Sequence, residues 1–344
     1  MSPSGYSARA IHRLRGHNGY GFFLGSLTPS LERSIARSLE PDLRSACGEA
    51  LGELSWVRMD WQHGGALTGI SEFTDDTGTH PVFVKFPVPG RELRWTRNLQ
   101  NTSEPLLIPR LHASGSSLGN HDIAWLVLER LPGDPLGAHW VPGNLLNTAR
   151  IAARMHAETD SIPVDRPIHR DDWESLLVST RKSLRVNRLP KHKEWVRRVE
   201  ESEACWTSVI KLWRAREPIG WIHGDLHLAN AMRRDNGSIC LVDLAEVRPG
   251  HWLEDALYLE RMFWAYPDRV NMEDPVFAMM EARENLGLEN GRQVKKLAVA
   301  RRILLAATTP AFLAHEGTQA HLNACLRVLG SSLAWWSDHG LPAR

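Results

Sequence analysis

Apolar positions follow two different rhythms along the chain. Leu31, Ile35 and Leu39 recur every four residues, the spacing of one helical face, after a Thr28-Pro29 start in which Thr28 can cap and Pro29 suits the first turn. From Trp56 to Phe86 the pattern becomes extended. Trp56, Val57 and Met59 open a run that breaks at His63-Gly64-Gly65, resumes at Ile70 and Phe73, turns at Asp75-Asp76-Thr77-Gly78 and closes with Val82 to Phe86. This predicts three antiparallel strands in a meander, with Lys85 in the third. Pro87, Pro89 and Gly90 end it, Arg91 to Leu99 reads as a helix, and Ile123 to Leu128 has strand length. Leu131 to Pro135 is a breaker-rich connector.

Beyond the connector the rhythm is helical over Leu145 to His156, Asp171 to Leu184, Glu194 to Trp213, Trp252 to Trp264, Pro275 to Leu286, Arg292 to Leu305 and His321 to Trp336. A strand-rich interruption spans Trp221 to Val247. The expected organisation is α+β: a helical extension over residues 1–50, a small antiparallel-sheet lobe over 51–131, and a large helical lobe over 132–344 with a hairpin inserted. The 344 residues suffice for two such cores.

Composition excludes several classes. Apolar residues make up 42% and charged residues 24%, as in an ordinary globular chain, and the net charge of +1 points to neither nucleic acid nor a membrane surface. The basic run from Arg181 to Arg198 has sparse aromatic interleaving and reads as a solvated helical face. Cys47, Cys205, Cys240 and Cys325 have no CxxC spacing, which predicts free thiols. The first sixteen residues lack the apolar run of a signal peptide, and no uncharged apolar stretch reaches membrane-spanning length, so a cytoplasmic location is expected.

The chemistry concentrates in His223-Gly224-Asp225-Leu226-His227-Leu228-Ala229-Asn230, an H-x-D-L-x-x-x-N pattern. Phosphoryl transfer needs a carboxylate beside the acceptor hydroxyl, here Asp225, and a metal-binding oxygen five residues on, here Asn230. Thirteen residues later Ile239 to Val242 end in Asp243, after the turn residues Arg233 to Gly237. A hairpin there places Asp243 near Asn230 as a second Mg2+ ligand. His223 is expected to support the loop. His223, Asp225 and His227 alternate, so a metal-dependent hydrolase is an alternative, although it leaves Asn230 and Asp243 unused. Lys85 in Val82-Phe83-Val84-Lys85 suits contact with the α- and β-phosphates of ATP, held by Glu92 or, failing that, Glu104. Gly64 and Gly65 occupy the place of a phosphate-covering loop without its G-x-G-x-x-G pattern. Backbone groups of Glu129 to Leu131 are placed to meet adenine.

On these residues the chain resembles the aminoglycoside phosphotransferase/choline kinase-like superfamily. The resemblance runs over roughly residues 50 to 265: the segment His223 to Asn230, then Leu241-Val242-Asp243, Pro249-Gly250, Asp255 opening the next helix, Met155-His156 in an earlier helix and the hinge Leu126 to Gly133. It implies a two-lobed protein-kinase-like fold, ATP with Mg2+, and transfer to a hydroxyl of a small molecule; a monomer or homodimer is expected. It also implies Asp225 as base, Asn230 and Asp243 as metal ligands and Lys85 as the phosphate-binding lysine. Leu244-Ala245-Glu246 departs from the usual residues after the metal-binding aspartate. A silent nucleotide-binding scaffold of the same fold is the rival, disfavoured because Lys85, Asp225, Asn230 and Asp243 are all present.

The acceptor is open from sequence. Glu246, Glu254, Glu260, Asp268, Glu273 and Asp274 would suit a cationic acceptor, or are simply solvated helix acids. Trp252, Trp264 and Tyr266 could box a quaternary amine, or pack in the core of a chain with 14 tryptophans.

Overall fold

The computed structural model describes residues 29–340 apart from 58–65, 103 and 169. Gly64 and Gly65, and with them the expected phosphate-covering loop, lie outside the described residues, as does the Thr28 cap.

The chain divides into two compact units. The first takes the described residues through His139 together with Ala229–Val247; the second takes Trp140–Leu228 and the chain from Arg248 onward. Helix α1 (Pro29–Ala46) leads into β1 (Ser55–Val57), β2 (Leu67–Asp75) and β3 (Gly78–Phe86), the expected meander. Asp75 faces Gly78 across a tight turn in which Asp75 Oδ1 accepts from the Thr77 N–H at 2.8 Å, and Gly78 takes φ of 134°, a conformation open to glycine. After helix α2 (Gly90–Asn98), β4 (Leu111–Gly115) and β5 (Trp125–Glu129) complete a five-stranded antiparallel sheet of order β1-β2-β3-β5-β4. The period of two sends Val82, Val84 and Phe86 into a core with Leu43, Leu51, Phe73, Leu118, Trp125 and Val127. Lys85, on the alternate phase, leaves by the other face.

The second unit follows with α3 (Asn144–Glu158), α4 (Trp173–Val186), α5 (His192–Glu203), α6 (Trp206–Arg214) and strand β6 (Gly220–Ile222). The single helix expected over Glu194 to Trp213 is two, because the chain turns at Ala204 and Cys205. Asp172 caps α4 by accepting from the Ser175 N–H at 2.9 Å. The hairpin β7 (Ala231–Arg233) and β8 (Ile239–Leu241) returns to the first unit. Strand β9 (Arg248–Gly250) then pairs with β6, and the helices α7 (Leu253–Arg261), α8 (Pro267–Met272), α9 (Pro275–Asn285), α10 (Val294–Thr308), α11 (Leu313–Glu316) and α12 (Gln319–His339) follow. Asp274 caps α9, with Pro275 at its first position. No helix among the described residues is long and apolar enough to cross a membrane.

A buried charge cluster holds the second unit together at β9 and α7. Glu254 accepts from Arg216 Nε at 3.1 Å and Nη2 at 2.9 Å, and lies 2.9 Å from Arg248 Nη2. Burial alone would raise its carboxyl, but Arg248, Arg216 and Arg301 outweigh that and hold it at about 2. Beside it His251 is fully buried, and burial pulls its imidazole down to about 3. The unfolded chain takes up that proton near 6.5, the folded chain only near 3. Between those values the unfolded state binds more protons, so stability falls as the pH drops. Buried His156 is lowered in the same direction, again chiefly by burial. Denaturant titrations from about pH 6.5 down to 4 are expected to lose on the order of 1.4 kcal/mol per pH unit through His251, with His156 adding in the same direction. His251→Asn is expected to flatten that slope.

Candidate functional site

The first unit gathers most of the predicted nucleotide-side residues. Lys85 Nζ donates to Glu92 Oε1 at 2.7 Å and to Asp243 Oδ1 at 3.4 Å. Glu92 stands in the first turn of α2 and is only 3% exposed, so an acid that would ordinarily be solvated is committed to Lys85. Burial would depress the Lys85 ammonium, but Glu92 and Asp243 outweigh it and raise it to about 12. Lys85 is therefore a fixed cation at neutral pH. Glu104 is exposed and lies beside Arg110 at 3.4 Å, so Glu92 and not Glu104 holds the lysine.

Asp243 follows β8 with φ of 61° and ψ of 71°, left-handed backbone that aspartate tolerates better than most residues. The kink turns its carboxylate out of the strand line and toward Lys85. Ala231 pairs with Leu241 across the hairpin, and the Val242 N–H donates to the Asn230 carbonyl at 2.9 Å. That bond brings Asn230 and Asp243 next to each other in the backbone. An amide oxygen and a carboxylate are hard oxygen donors of the kind Mg2+ accepts, with phosphate oxygens and water to complete its shell. Among the described residues no group of three or more His, Cys, Asp and Glu is arranged to hold a metal ion. The His223, Asp225 and His227 alternative thus has no such cluster behind it.

A residue that the sequence did not single out locks this hairpin in place. Arg234 donates to the Leu106 carbonyl at 2.7 Å, to the Ile108 carbonyl at 2.6 Å and to Glu129, the nearest contact being Nε to Oε1 at 3.0 Å. The Leu241 N–H adds a bond to the Leu107 carbonyl at 2.8 Å. In the sequence Arg234 belongs to a turn rich in polar residues, and nothing local separates it from Arg233. Glu129 is thereby occupied on both sides: its carboxylate takes Arg234, and its N–H donates to the Arg110 carbonyl at 2.7 Å. The Arg130 N–H goes to the Pro81 carbonyl at 3.0 Å, and the Leu131 side chain is buried. Of the two backbone groups of Glu129 expected to face adenine, the N–H is thus already bonded to Arg110.

The second unit carries the loop with Asp225. Asp255, at the start of α7, accepts from the His223 N–H at 2.8 Å, the Gly224 N–H at 2.9 Å and His156 Nε2 at 3.1 Å. Burial works to raise the Asp255 carboxyl, but the bond and charge of His156, the charge of His223 and the Gly224 N–H keep it low. Gly224 takes φ of 77°, which explains a glycine at that step of the motif. His223 is fully buried, and His227 Nε2 lies 3.7 Å from Asp225 Oδ2. Asp255→Ala strips the acceptor from two buried donors and one half-buried donor. It is expected to cost about 3 kcal/mol or more in thermal or denaturant unfolding. It is also expected to lower turnover roughly tenfold to a hundredfold through a misplaced loop.

Most of the acids expected near an acceptor are engaged elsewhere, Asp268 being exposed. Glu246 lies 3.4 Å from Arg91 Nη1, Glu260 takes Arg302 Nε and Trp264 Nε1 at 2.9 and 2.8 Å, and Glu273 accepts from the Gly143 and Leu145 N–H groups. Trp252 and Trp264 are buried, so the boxed-amine expectation gives way to core packing for these two.

Comparison with known proteins fits this geometry. The chain belongs to the phosphotransferase enzyme family APH, which matches residues 69–286, well over half its length. No curated protein matches the chain. Among solved structures it is similar to an aminoglycoside phosphotransferase from Alicyclobacillus acidocaldarius, at 18% identity and a TM-score of 0.58, covering 85% of this chain and 93% of that one. A spectinomycin phosphotransferase solved with ADP and spectinomycin has 13% identity and a TM-score of 0.53, over 90% and 95% of the two chains. A choline kinase from Cryptosporidium parvum has 12% identity and a TM-score of 0.50, over 91% and 98%. At these identities the likeness is one of fold: α+β and protein-kinase-like.

Proposed function

We propose that the protein transfers the γ-phosphate of ATP to a hydroxyl of a small molecule with Mg2+ bound. The observation that carries this reading is the Lys85 ammonium held by buried Glu92 and by Asp243, beside the Asn230 backbone. Such an arrangement fixes one cation and two oxygen donors where phosphate charge would be handled. Mg2+, when bound by Asn230 and Asp243, would neutralise charge on the phosphates. Lys85 binds the α- and β-phosphate oxygens, and Glu92 keeps its ammonium aimed. Asp225 accepts a hydrogen bond from the acceptor hydroxyl and takes its proton as the bond to phosphorus forms. Asp255 holds the backbone on which Asp225 is mounted, and His223 anchors that loop from the interior. The small-molecule acceptor is supported by the family and by relatives solved with such substrates.

The test is ADP release from ATP across a panel of aminoglycosides, macrolides, sugars, hydroxy acids and amino alcohols, with and without Mg2+. Acceptor-stimulated ADP release that stops with EDTA is the expected result. ATP binding without turnover on any acceptor would favour a silent scaffold instead.

A further inference from the structure

Arg269 on α8 is held in an unusual setting. Its guanidinium carbon lies 4.6 Å from the ring centre of Trp140 and 4.3 Å from that of Tyr266, so aromatic rings take it up from two sides. Phe263 buttresses Trp140, with ring centres 5.4 Å apart. All four residues are half-buried and belong to the second unit. Aromatic contact holds the guanidinium through its flat faces and leaves the in-plane N–H groups to other partners. Among the described residues no carboxylate pairs with Arg269. Of the nearby acids, Glu273 is committed to the Gly143 and Leu145 N–H groups, and Asp274 to the start of α9. Asp268, its neighbour in the chain, is exposed.

Two further observations point the same way. Of the carboxylates of this unit that could have received a polycationic acceptor, Glu254 and Glu260 are already neutralised by Arg216, Arg248 and Arg302, which leaves Asp268 exposed. The faces of Trp140 and Tyr266 that could have boxed a quaternary amine are already covered by Arg269. Val270 and Asn271, which follow Arg269, line a groove shared with Lys295 and Arg327. Glu260 lines the same groove paired with Arg302, and neither Lys295 nor Arg327 is paired with a carboxylate among the described residues, so cations outnumber carboxylates along it.

We infer that Arg269, clamped by Trp140 and Tyr266, receives a carboxylate or phosphate group, and that the hydroxyl acceptor of this protein is therefore an anion and not a polycation. A guanidinium with its rotamers already fixed gives a bidentate oxyanion contact with little further ordering cost. This rests on the phosphotransferase reading for the word acceptor, whereas the anion site itself does not. Arg269 acts here as a specificity residue, remote from the reacting atoms. Its signature lies in KM and not in kcat.

Matched acceptor pairs test it: pantothenate against panthenol, and glucuronate against glucose. The anionic member of at least one pair is expected to show a kcat/KM higher by roughly tenfold to a hundredfold, as a charge-assisted contact allows. Arg269→Met should erase that preference through KM, Arg269→Lys should retain part of it, and Trp140→Leu should weaken it. A preference for the neutral member, or a preference that survives Arg269→Met, overturns the inference. Saturation-transfer NMR with pantothenate and panthenol reads binding without turnover. Pantothenate signal that exceeds panthenol signal and is lost in Arg269→Met supports the site, even if no acceptor is phosphorylated and the phosphotransferase reading fails. Equal signals, or none from pantothenate, overturn it.

Discussion

Asp225→Asn is expected to lower turnover by about a thousandfold while leaving nucleotide affinity within a fewfold of wild type, since positioned proton transfer contributes about a hundredfold to ten-thousandfold. The substitution is close to isosteric, so the loop should survive it: the backbone N–H groups of His223 and Gly224 remain on Asp255 at 2.8 and 2.9 Å. What disappears is the acceptor of the hydroxyl proton. The asparagine amide can orient a hydroxyl but cannot take its proton. Nucleotide binding draws on Lys85, Asn230 and Asp243, which are untouched. Titration of ATP analogues alongside single-turnover rates separates the two effects. Unchanged turnover would remove Asp225 from the mechanism.

Asp243→Asn is expected to reduce kcat/KM by at least about a hundredfold at ordinary Mg2+ concentrations, partly restored at high Mg2+, because a charged oxygen ligand becomes a neutral one. Asparagine tolerates the left-handed backbone at φ of 61°, which makes it a cleaner variant than alanine. Lys85 loses one of the two carboxylates that raise it, but Glu92 at 2.7 Å remains, so the ammonium persists at neutral pH. Thermal stability should change little. An Mg2+ titration of activity distinguishes this from a folding defect: a folding defect would not be rescued by the ion.

The site was legible in sequence wherever spacing encodes chemistry. The steps from Asp225 to Asn230 and on to Asp243 are set by a loop and a hairpin, and both are local. Lys85 was readable from the Val82-Phe83-Val84-Lys85 pattern taken together with the downstream motif, since a strand lysine by itself is usually solvated. Glu92 was readable because it is the first acid of the following helix. The contributions of Arg234 and Arg269 were not readable, for a physical reason. Arg234 binds carbonyls of Leu106 and Ile108 more than a hundred residues earlier in the chain. Arg269 is defined by rings from Trp140 and Tyr266, one of them far away in sequence. Long-range partners leave no periodic trace. The same applies to the acids of the second unit: solvation is the default for a helix acid, and only buried Arg216 and half-buried Arg248 reveal that Glu254 departs from it. Strand β4 was missed because Leu111–Gly115 is short and half-buried throughout, with no clear alternation.

The hairpin Ala229–Val247 belongs to the first unit although it is encoded ninety residues after the rest of it. On the ribosome, the sheet from β1 to β5 therefore emerges without Arg234, and the carbonyls of Leu106, Leu107 and Ile108 wait for partners until helices α3 to α6 of the second unit have been made. The sheet unit is thus not a detachable module. A fragment ending near residue 139 would lack the strands that seal it, and fusing the hairpin sequence to that fragment through a short linker is the rearrangement the connectivity invites.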